Sequence, residues 1–432
     1  MHRLRSLLAY IALLAAVLSL LPGAAYAGAL AVALAVILGW GDMRRVPKVV
    51  FSAALLGLFY ALIRDPALID GAVANVTRLA GLILAVMLLS HVLGRSGDLQ
   101  RISASLFGGR PTPRYLSLAF GTALVSIPLN FGSVAVVGSL VSERIRAGGD
   151  SAATRNATRA VLRGFGVAPT FSPLSISVVL TLTLLPGLGS LQLLSLAVPF
   201  AFLMVLAGLV WREPESTGGD PERPAGKGPW LRFGGLILAI CLGVFVLSHR
   251  YGFNYAYAVT LSCLAAVLGG RVLAWSRGSN PPVADMAPVS NELAIVGGSA
   301  FIGAVISGVV LGNIHGDTQL PVWGWSLLAA AVPWVFFVSG LAGINPIVIG
   351  TLVGGILGSV WPSSALVGLG LAMVTGWGIT AFGTPFAANA LIMERLTGYR
   401  AVDASFRWSF GLSLSGLAFS SLMTAALTFG LV

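Results

Sequence analysis

Gly164-Phe165-Gly166-Val167-Ala168-Pro169-Thr170-Phe171-Ser172-Pro173 returns 212 positions later as Gly376-Trp377-Gly378-Ile379-Thr380-Ala381-Phe382-Gly383-Thr384-Pro385. At the same offset Gly138-Ser139-Leu140-Val141 matches Gly350-Thr351-Leu352-Val353. Similarity at one fixed spacing marks an internal repeat. Both copies of the longer motif lie in apolar sequence, where Gly, Pro and Ser/Thr interrupt a helix. In a membrane, paired interruptions of this kind point to the binding site of a transporter.

The composition supports a membrane setting. Of 432 residues 56% are apolar and 9% charged, whereas a soluble domain carries about a quarter charged residues. Apolar runs long enough to cross a bilayer recur along the whole chain. They predict helices near 7–21, 24–40, 46–63, 76–93, 158–186, 190–211, 231–248, 253–270, 291–312, 364–392 and 405–431. The net charge of +11 does not indicate nucleic acid, because the arginines sit in short loops beside apolar segments, as the positive-inside rule expects. Cys241 and Cys263 stand alone in apolar stretches and suggest neither a disulfide nor a metal site. His2, Arg3 and Arg5 with Ala25-Tyr26-Ala27 resemble a signal peptide, but a second apolar run follows at once, so a retained helical hairpin is expected.

Two further apolar stretches, about 115–142 and 323–360, are decided by their flanks. The first lies between Arg95, Arg101, Arg110 and Arg114 and the group Arg144, Arg146, Arg155, Arg159 and Arg163. Both flanks read as cytoplasmic, so the segment enters and returns, turning near Ile127–Ser133. The second lies in a region with no Lys or Arg between Arg277 and Arg395. Its flanks, His315-Gly316-Asp317 and Trp361-Pro362-Ser363-Ser364, read as extracytoplasmic, and Ser339–Pro346 supplies its turn.

The expected fold is an all-α membrane protein. It has about eleven transmembrane helices and two opposed re-entrant hairpins in an inverted-topology repeat, with the N-terminus cytoplasmic and the C-terminus extracytoplasmic. The alternative counts each hairpin as ordinary helices. Residues 1–211 form the first half, 212–230 a cytoplasmic linker and 231–432 the second half. The basic stretches 95–114 and 144–163 are expected as amphipathic helices on the cytoplasmic leaflet.

The chemistry offered at the interruptions is uncharged: Ser126, Asn130, Ser133, Thr170, Ser172 and Pro173 in the first half, and Ser339, Asn345, Gly383, Thr384 and Pro385 in the second. Amide, hydroxyl and freed carbonyl oxygens suit a small cation such as Na⁺, and half-helix N-termini suit an anion. The expected ligands are therefore a small, anionic, carboxylate-like solute and a coupling cation, with no other cofactor. Asn130 and Asn345 are the favoured functional residues, because an unpaired amide in lipid is costly. For Ser126, Ser133, Ser172, Ser339 and Thr384, ligand binding and bonding to the preceding turn's carbonyl are both open. For Ser175, Ser177 and Thr375 the carbonyl bond is expected. No Ser/His, paired-Asp or metal constellation indicates an enzyme.

These residues resemble the ion transporter superfamily: divalent-anion/sodium symporters, citrate carriers and the large membrane subunits of TRAP transporters. Asn130 and Asn345 resemble the hairpin-tip asparagines. Phe382-Gly383-Thr384-Pro385 resembles the second unwound segment, and Phe171-Ser172-Pro173 its partner. The tips read Leu129-Asn130-Phe131 and Ile344-Asn345-Pro346, without the symporters' flanking hydroxyls. The resemblance implies elevator-type scaffold and transport domains, a homodimer in a bacterial-type inner membrane, and Na⁺ between tip and unwound loop, at Asn130 with Gly132 and at Asn345 with Gly343. A cation/proton antiporter and a binding-protein-dependent large subunit are the rival readings. Under the 212 offset Asn345 pairs with Ser133 rather than Asn130, so one tip carries an insertion or the two are not equivalent.

Overall fold

A computed structural model describes residues 2–94, 96–215, 226–280, 282–313 (without the side chain of Asn313) and 320–432. Every long regular element among them is helical. The first part of the chain forms α1 (His2–Val17), α2 (Ala24–Leu38), α3 (Arg45–Arg64), α4 (Ala67–Gly94) and the short α5 (Gly97–Ser105). Then come α6 (Pro111–Leu129), α7 (Phe131–Gly148), α8 (Ala152–Phe171), α9 (Ile176–Leu184) and α10 (Ser190–Ala207). The second part holds α11 (Lys227–Arg250), α12 (Tyr255–Ser276), α13 (Ser290–Asn313), α14 (Val322–Leu341) and α15 (Pro346–Val360). It closes with α16 (Leu366–Gly383), α17 (Ala388–Thr397), a π-helical turn at Val402–Arg407 and α18 (Trp408–Leu431).

Counting α8–α9 and α16–α17 as one span each, ten helical spans among the described residues are long and apolar enough to cross a bilayer. This is the all-α membrane architecture that the composition requires. Helix α1, at 16 residues, and α2, at 15, are shorter than that criterion, whereas α14, expected as a hairpin arm, meets it.

The order of helices recurs at the spacing found in the sequence. Helices α2, α3, α6 and α8 end at Leu38, Arg64, Leu129 and Phe171, while α11, α12, α14 and α16 end at Arg250, Ser276, Leu341 and Gly383, each 212 residues later.

The chain divides into two compact units. One comprises Met1–Val92, Ala239–Thr318 and Gly350–Val360. Its helices meet through small residues: Gly81 lies against Ala16, Gly28 against Thr77 and Gly298 against Val50, so that a Cβ at any of these glycines would collide or press hard on its neighbour. The other comprises Leu93–Leu238, Gln319–Ile349 and Trp361–Val432. Its core gathers Phe165, Phe200, Ile379, Phe382 and Met393, with α8 packed on α6 and α16, and α14 on α16 and α18.

The basic stretch 144–163 is not a surface helix. It comprises the end of α7, a turn at Gly149 (φ 77°) and the start of α8, in which Arg159 and Arg163 are buried. The physical reason is a set of acceptors inside the unit. Arg163 Nη1 donates to Gly208 O (2.8 Å) and Tyr115 Oη (3.0 Å), and Nη2 to Trp408 O (2.8 Å) and Trp211 O (3.3 Å). Its Nε donates to Ser409 Oγ (3.2 Å). Stretch 95–114 does hold a short helix, α5, before the first turn of α6. The middle of the linker, 216–225, and the flank His315-Gly316-Asp317 lie outside the described residues.

Candidate functional site

Every candidate ligand-binding residue named from the sequence falls in the second unit. The first tip is a single residue: α6 ends at Leu129, α7 begins at Phe131, and Asn130 between them holds φ 48° and ψ −126°. Among the described residues it is the one non-glycine with positive φ, a conformation that costs an L-residue about 1–3 kcal/mol. Its amide N–H is retained by Ser126 O (2.9 Å), but its side-chain carboxamide has no hydrogen-bond partner among the described residues. Pro128, the last residue but one of α6, and the polar pair Ser126 and Ser133 complete the tip.

The hydroxyls at this tip are short of protons. Ser126 Oγ lies 2.6 Å from Thr122 O, Ser133 Oγ lies 2.7 Å from Asn130 O, and the two hydroxyl oxygens are 2.6 Å apart. Three contacts share two hydroxyl protons, while Asn130 O also accepts from Ser133 N–H (3.1 Å). The Thr122 hydroxyl beside them is buried without a partner. With Ser126 and Ser133 buried and Asn130 half-buried, the neutral tip offers oxygen ligands of the kind that suit a hard cation such as Na⁺.

The broken helices solve one problem twice. Pro173 and Pro385 lack an N–H, which would orphan the carbonyls of Pro169 and Ala381 four residues earlier. A side chain stands in for the missing donor each time: the one proton of Ser175 Oγ is shared between Pro169 O (3.1 Å) and Ser172 O (2.9 Å), and Asn389 Nδ2 donates to Ala381 O (2.8 Å). Ser172 (φ −70°, ψ 122°) and Thr384 (φ −120°, ψ 142°) are extended, as residues before proline must be. The carbonyls of Thr170, Phe171, Phe382 and Gly383 accept no hydrogen bond among the described residues. Helices α8 and α16 cross beside these breaks. A Cβ on Gly378 would stand 2.1 Å from Thr170 Oγ1, and one on Gly166 would stand 2.5 Å from Phe382 Cβ. Thr170 Oγ1 donates across the crossing to Val374 O (3.3 Å).

The second tip is built differently. Gly343 (φ 78°) ends α14 in a Schellman turn, with Ile344 N–H on Ser339 O (2.9 Å) and Gly343 N–H on Gly340 O (3.1 Å). Asn345 then caps α15, its Oδ1 accepting from Ile347 N (2.9 Å), with Pro346 in the first helical position. The three-residue discrepancy between the asparagines is therefore an insertion in the second tip. Helices α6 and α14 end 212 residues apart, while α7 and α15 begin 215 apart. Each asparagine is the residue just before the second arm. This tip meets the second break: a Cβ on Gly340 would lie 2.3 Å from Thr380 Cγ2 and 3.2 Å from Thr384 Cγ2, and one on Gly343 would lie 3.8 Å from the Phe386 ring.

Several other candidates have internal partners, but the Ser177 hydroxyl, expected to bond a carbonyl, is buried without one. Thr384 Oγ1 bonds Thr380 O (2.8 Å), and Thr375 Oγ1 bonds Leu371 O (2.7 Å) and Ser420 Oγ (2.6 Å). Ser175 caps α9 by accepting from Val178 N (3.2 Å). Ser172 Oγ accepts from Leu174 N (3.3 Å). No hydrogen bond joins Ser126, Asn130 or Ser133 to Ser172 among the described residues. Sequence reading overlooked Ser413, whose hydroxyl is buried without a partner and would stand 2.4 Å from a Cβ on Gly383. Its position on α18 carries no pattern that a local reading could detect.

Where the linker begins, charge is concentrated. Glu213 binds Arg159 (2.6 Å) and Arg155 (2.7 Å), Glu215 binds Arg114, and Asn156 bonds Glu213 O (2.8 Å). Burial pushes the Glu213 carboxyl up, but the hydrogen bonds and charges of Arg159 and Arg155 outweigh it and hold it below the ordinary carboxylate value.

No protein-family model matches the chain, and no curated protein matches it in sequence. Its fold is similar to the crystal structure of the Alcanivorax borkumensis YdaH transporter, described as having an unusual topology. The TM-score is 0.54 at 14% identity over 86% of this chain and 88% of that one. The chain is thus an all-helical membrane protein with the fold of a solved transporter.

Proposed function

We propose that this chain is a secondary active transporter carrying a small anionic, carboxylate-like solute across the inner membrane, coupled to Na⁺ or H⁺. The observation that carries the reading is the pair of proline breaks at one spacing, with four unpaired carbonyls, in the same unit as the acceptor-rich tip at Asn130. Unpaired backbone at membrane depth is tolerated only beside protein or a wet cavity. A cation held by neutral oxygens, from the Asn130 carboxamide with Gly132 in the first half and near Asn345 and Gly343 in the second, would offset a carboxylate's charge. The N-termini of α7 and α17 have no side-chain cap, and their partial positive charges favour the anion. In this reading the repeat is inverted, and a transport domain carrying the broken helices slides against a scaffold domain as an elevator within a homodimer.

Uptake of radiolabelled mono- and dicarboxylates into proteoliposomes, with and without Na⁺ and proton gradients, tests the proposal. Accumulation should follow one of the two gradients; indifference to both refutes coupling. Asn130→Ala and Asn345→Ala should each abolish uptake while expression is unchanged.

The antiporter reading has one observation behind it. Glu292, in the first turn of α13, has a buried carboxylate oxygen without a partner. It lies in the other unit from the tips, which favours the symporter reading. Under that reading Glu292→Gln leaves uptake intact, whereas loss of transport in this variant would favour the antiporter.

A further inference from the structure

The buried face of α18, which packs on α14 and α16, carries Ser409, Ser413, Ser420 and Thr424. Three of these hydroxyls are used inside the protein. Ser409 Oγ accepts from Arg163 Nε (3.2 Å), Ser420 Oγ lies 2.6 Å from Thr375 Oγ1, and Thr424 Oγ1 donates to Ser420 O (2.9 Å). Ser413 Oγ, on a residue with no solvent exposure, has no partner. Nor does it take the carbonyl of Ser409 one turn back, the usual outlet for a serine in a helix. An unpaired buried hydroxyl is costly, and here the remedy lies one turn away unused.

The surroundings of Ser413 identify its ligand. A Cβ on Gly383 would stand 2.4 Å from Ser413 Oγ and 2.8 Å from Phe337 Cε2. The hydroxyl therefore lies against the last residue of α16, where the helix breaks ahead of Pro385. The carbonyls of Phe382 and Gly383 at this break accept no hydrogen bond among the described residues. Thr428, the other buried hydroxyl of α18 without a partner, packs on Gly368, about 22 Å along α16 from the break. At the offset of 212 the first half has Phe171 in place of Gly383 and Ala201 in place of Ser413. One half fills the position and lacks the hydroxyl; the other clears the position and supplies it.

We propose that Ser413 Oγ is a ligand of a cation bound at the second break, beside the freed carbonyl oxygens of Phe382 and Gly383, and that the cation is small, hard and monovalent, as Na⁺ is. A hydroxyl can present its oxygen or its proton, and the neighbours decide between them. Freed carbonyls offer oxygen alone, which repels an anion, and neutral oxygen donors suit a hard cation. The assignment rests on the cation-coupled reading above and adds to it a ligand from a helix outside the tips and breaks.

Thermal unfolding of the purified full chain in detergent, titrated with NaCl against choline chloride at constant ionic strength, reads binding apart from transport. Na⁺ should raise the wild-type Tm by about 2–5 °C. Ser413→Ala should need about tenfold more Na⁺ for the same shift, as loss of one ligand implies. Its Tm without Na⁺ should equal or exceed that of the wild type, because an unpaired buried hydroxyl has been removed. Ser413→Cys keeps the side-chain shape but puts soft sulfur where a hard cation needs oxygen; it should weaken Na⁺ by a similar factor and serves if the alanine variant does not fold. A Na⁺ midpoint unchanged in either variant, whatever its Tm without Na⁺, would overturn the assignment and leave the transport reading standing. No Na⁺ shift in the wild type would overturn the assignment together with Na⁺ coupling, which Na⁺-driven uptake into proteoliposomes checks independently.

Discussion

Asn130 combines two costs that a purely structural residue would avoid: a backbone angle suited to glycine (φ 48°) and a carboxamide without a hydrogen-bond partner among the described residues. Glycine would relieve the first and delete the second. Asn130→Gly is therefore expected to stabilise the protein by about 1 kcal/mol while abolishing uptake, read by thermal unfolding and proteoliposome transport on one preparation. Wild-type uptake by this variant would remove the residue from the site. Arg163 presents the opposite case. All five of its N–H groups are engaged by neutral acceptors at the ends of α10 and α18 and at Tyr115. Arg163→Lys cannot reproduce that fork and leaves buried carbonyls without donors, for a loss of about 3–5 kcal/mol measurable as a lowered unfolding temperature. An unchanged temperature would mean that water replaces the lost donors.

At the scale of the element, the two breaks were legible because proline and glycine act locally. Pro173 and Pro385 have the same effect on the chain whatever surrounds them, so the sequence motif and the structural break coincide at Ser172 and Thr384. The donors that repair the breaks, Ser175 and Asn389, stand at different offsets from their prolines, and no spacing rule finds them. Ser175→Ala and Asn389→Ala should each cost about 1–3 kcal/mol by leaving a carbonyl orphaned; denaturation of the purified variants reads this, and no change in either would show the carbonyl to be hydrated. The tips were half legible. A three-residue mismatch was visible, but only the helix ends show that it sits at Gly343–Asn345. The buried arginines of α8 were misplaced because charge beside an apolar run reads as surface, whereas the acceptors of Arg163 and the Glu213 partner of Arg159 lie 45 or more residues away. One of those contacts is sensitive to acid. Because the Glu213 carboxyl is held low in the folded protein, its stabilising contribution is complete above the ordinary carboxylate range and disappears as pH falls through the depressed folded value. The difference in Tm between wild type and Glu213→Gln should therefore be constant from pH 8 to about pH 5 and close in more acid solution; a gap that persists at about pH 2 contradicts the assignment.

For the whole molecule, the recurrence of helix ends at 212 residues means that two halves of one chain run through the same order of elements. The sequence-derived candidates of both halves belong to a single compact unit, as a shared binding site requires. What depends on this is direction. The account needs the α6–α7 arms to enter and leave from the cytoplasm and the α14–α15 arms to do so from the other side. Single cysteines at Thr112, Gly148, Val322 and Ser363, in a background with Cys241 and Cys263 replaced by serine, can be probed in oriented vesicles with a membrane-impermeant maleimide. The account predicts that 112 and 148 label together from the cytoplasmic face, and 322 and 363 together from the opposite face. Labelling of the two ends of either hairpin from different faces would contradict it.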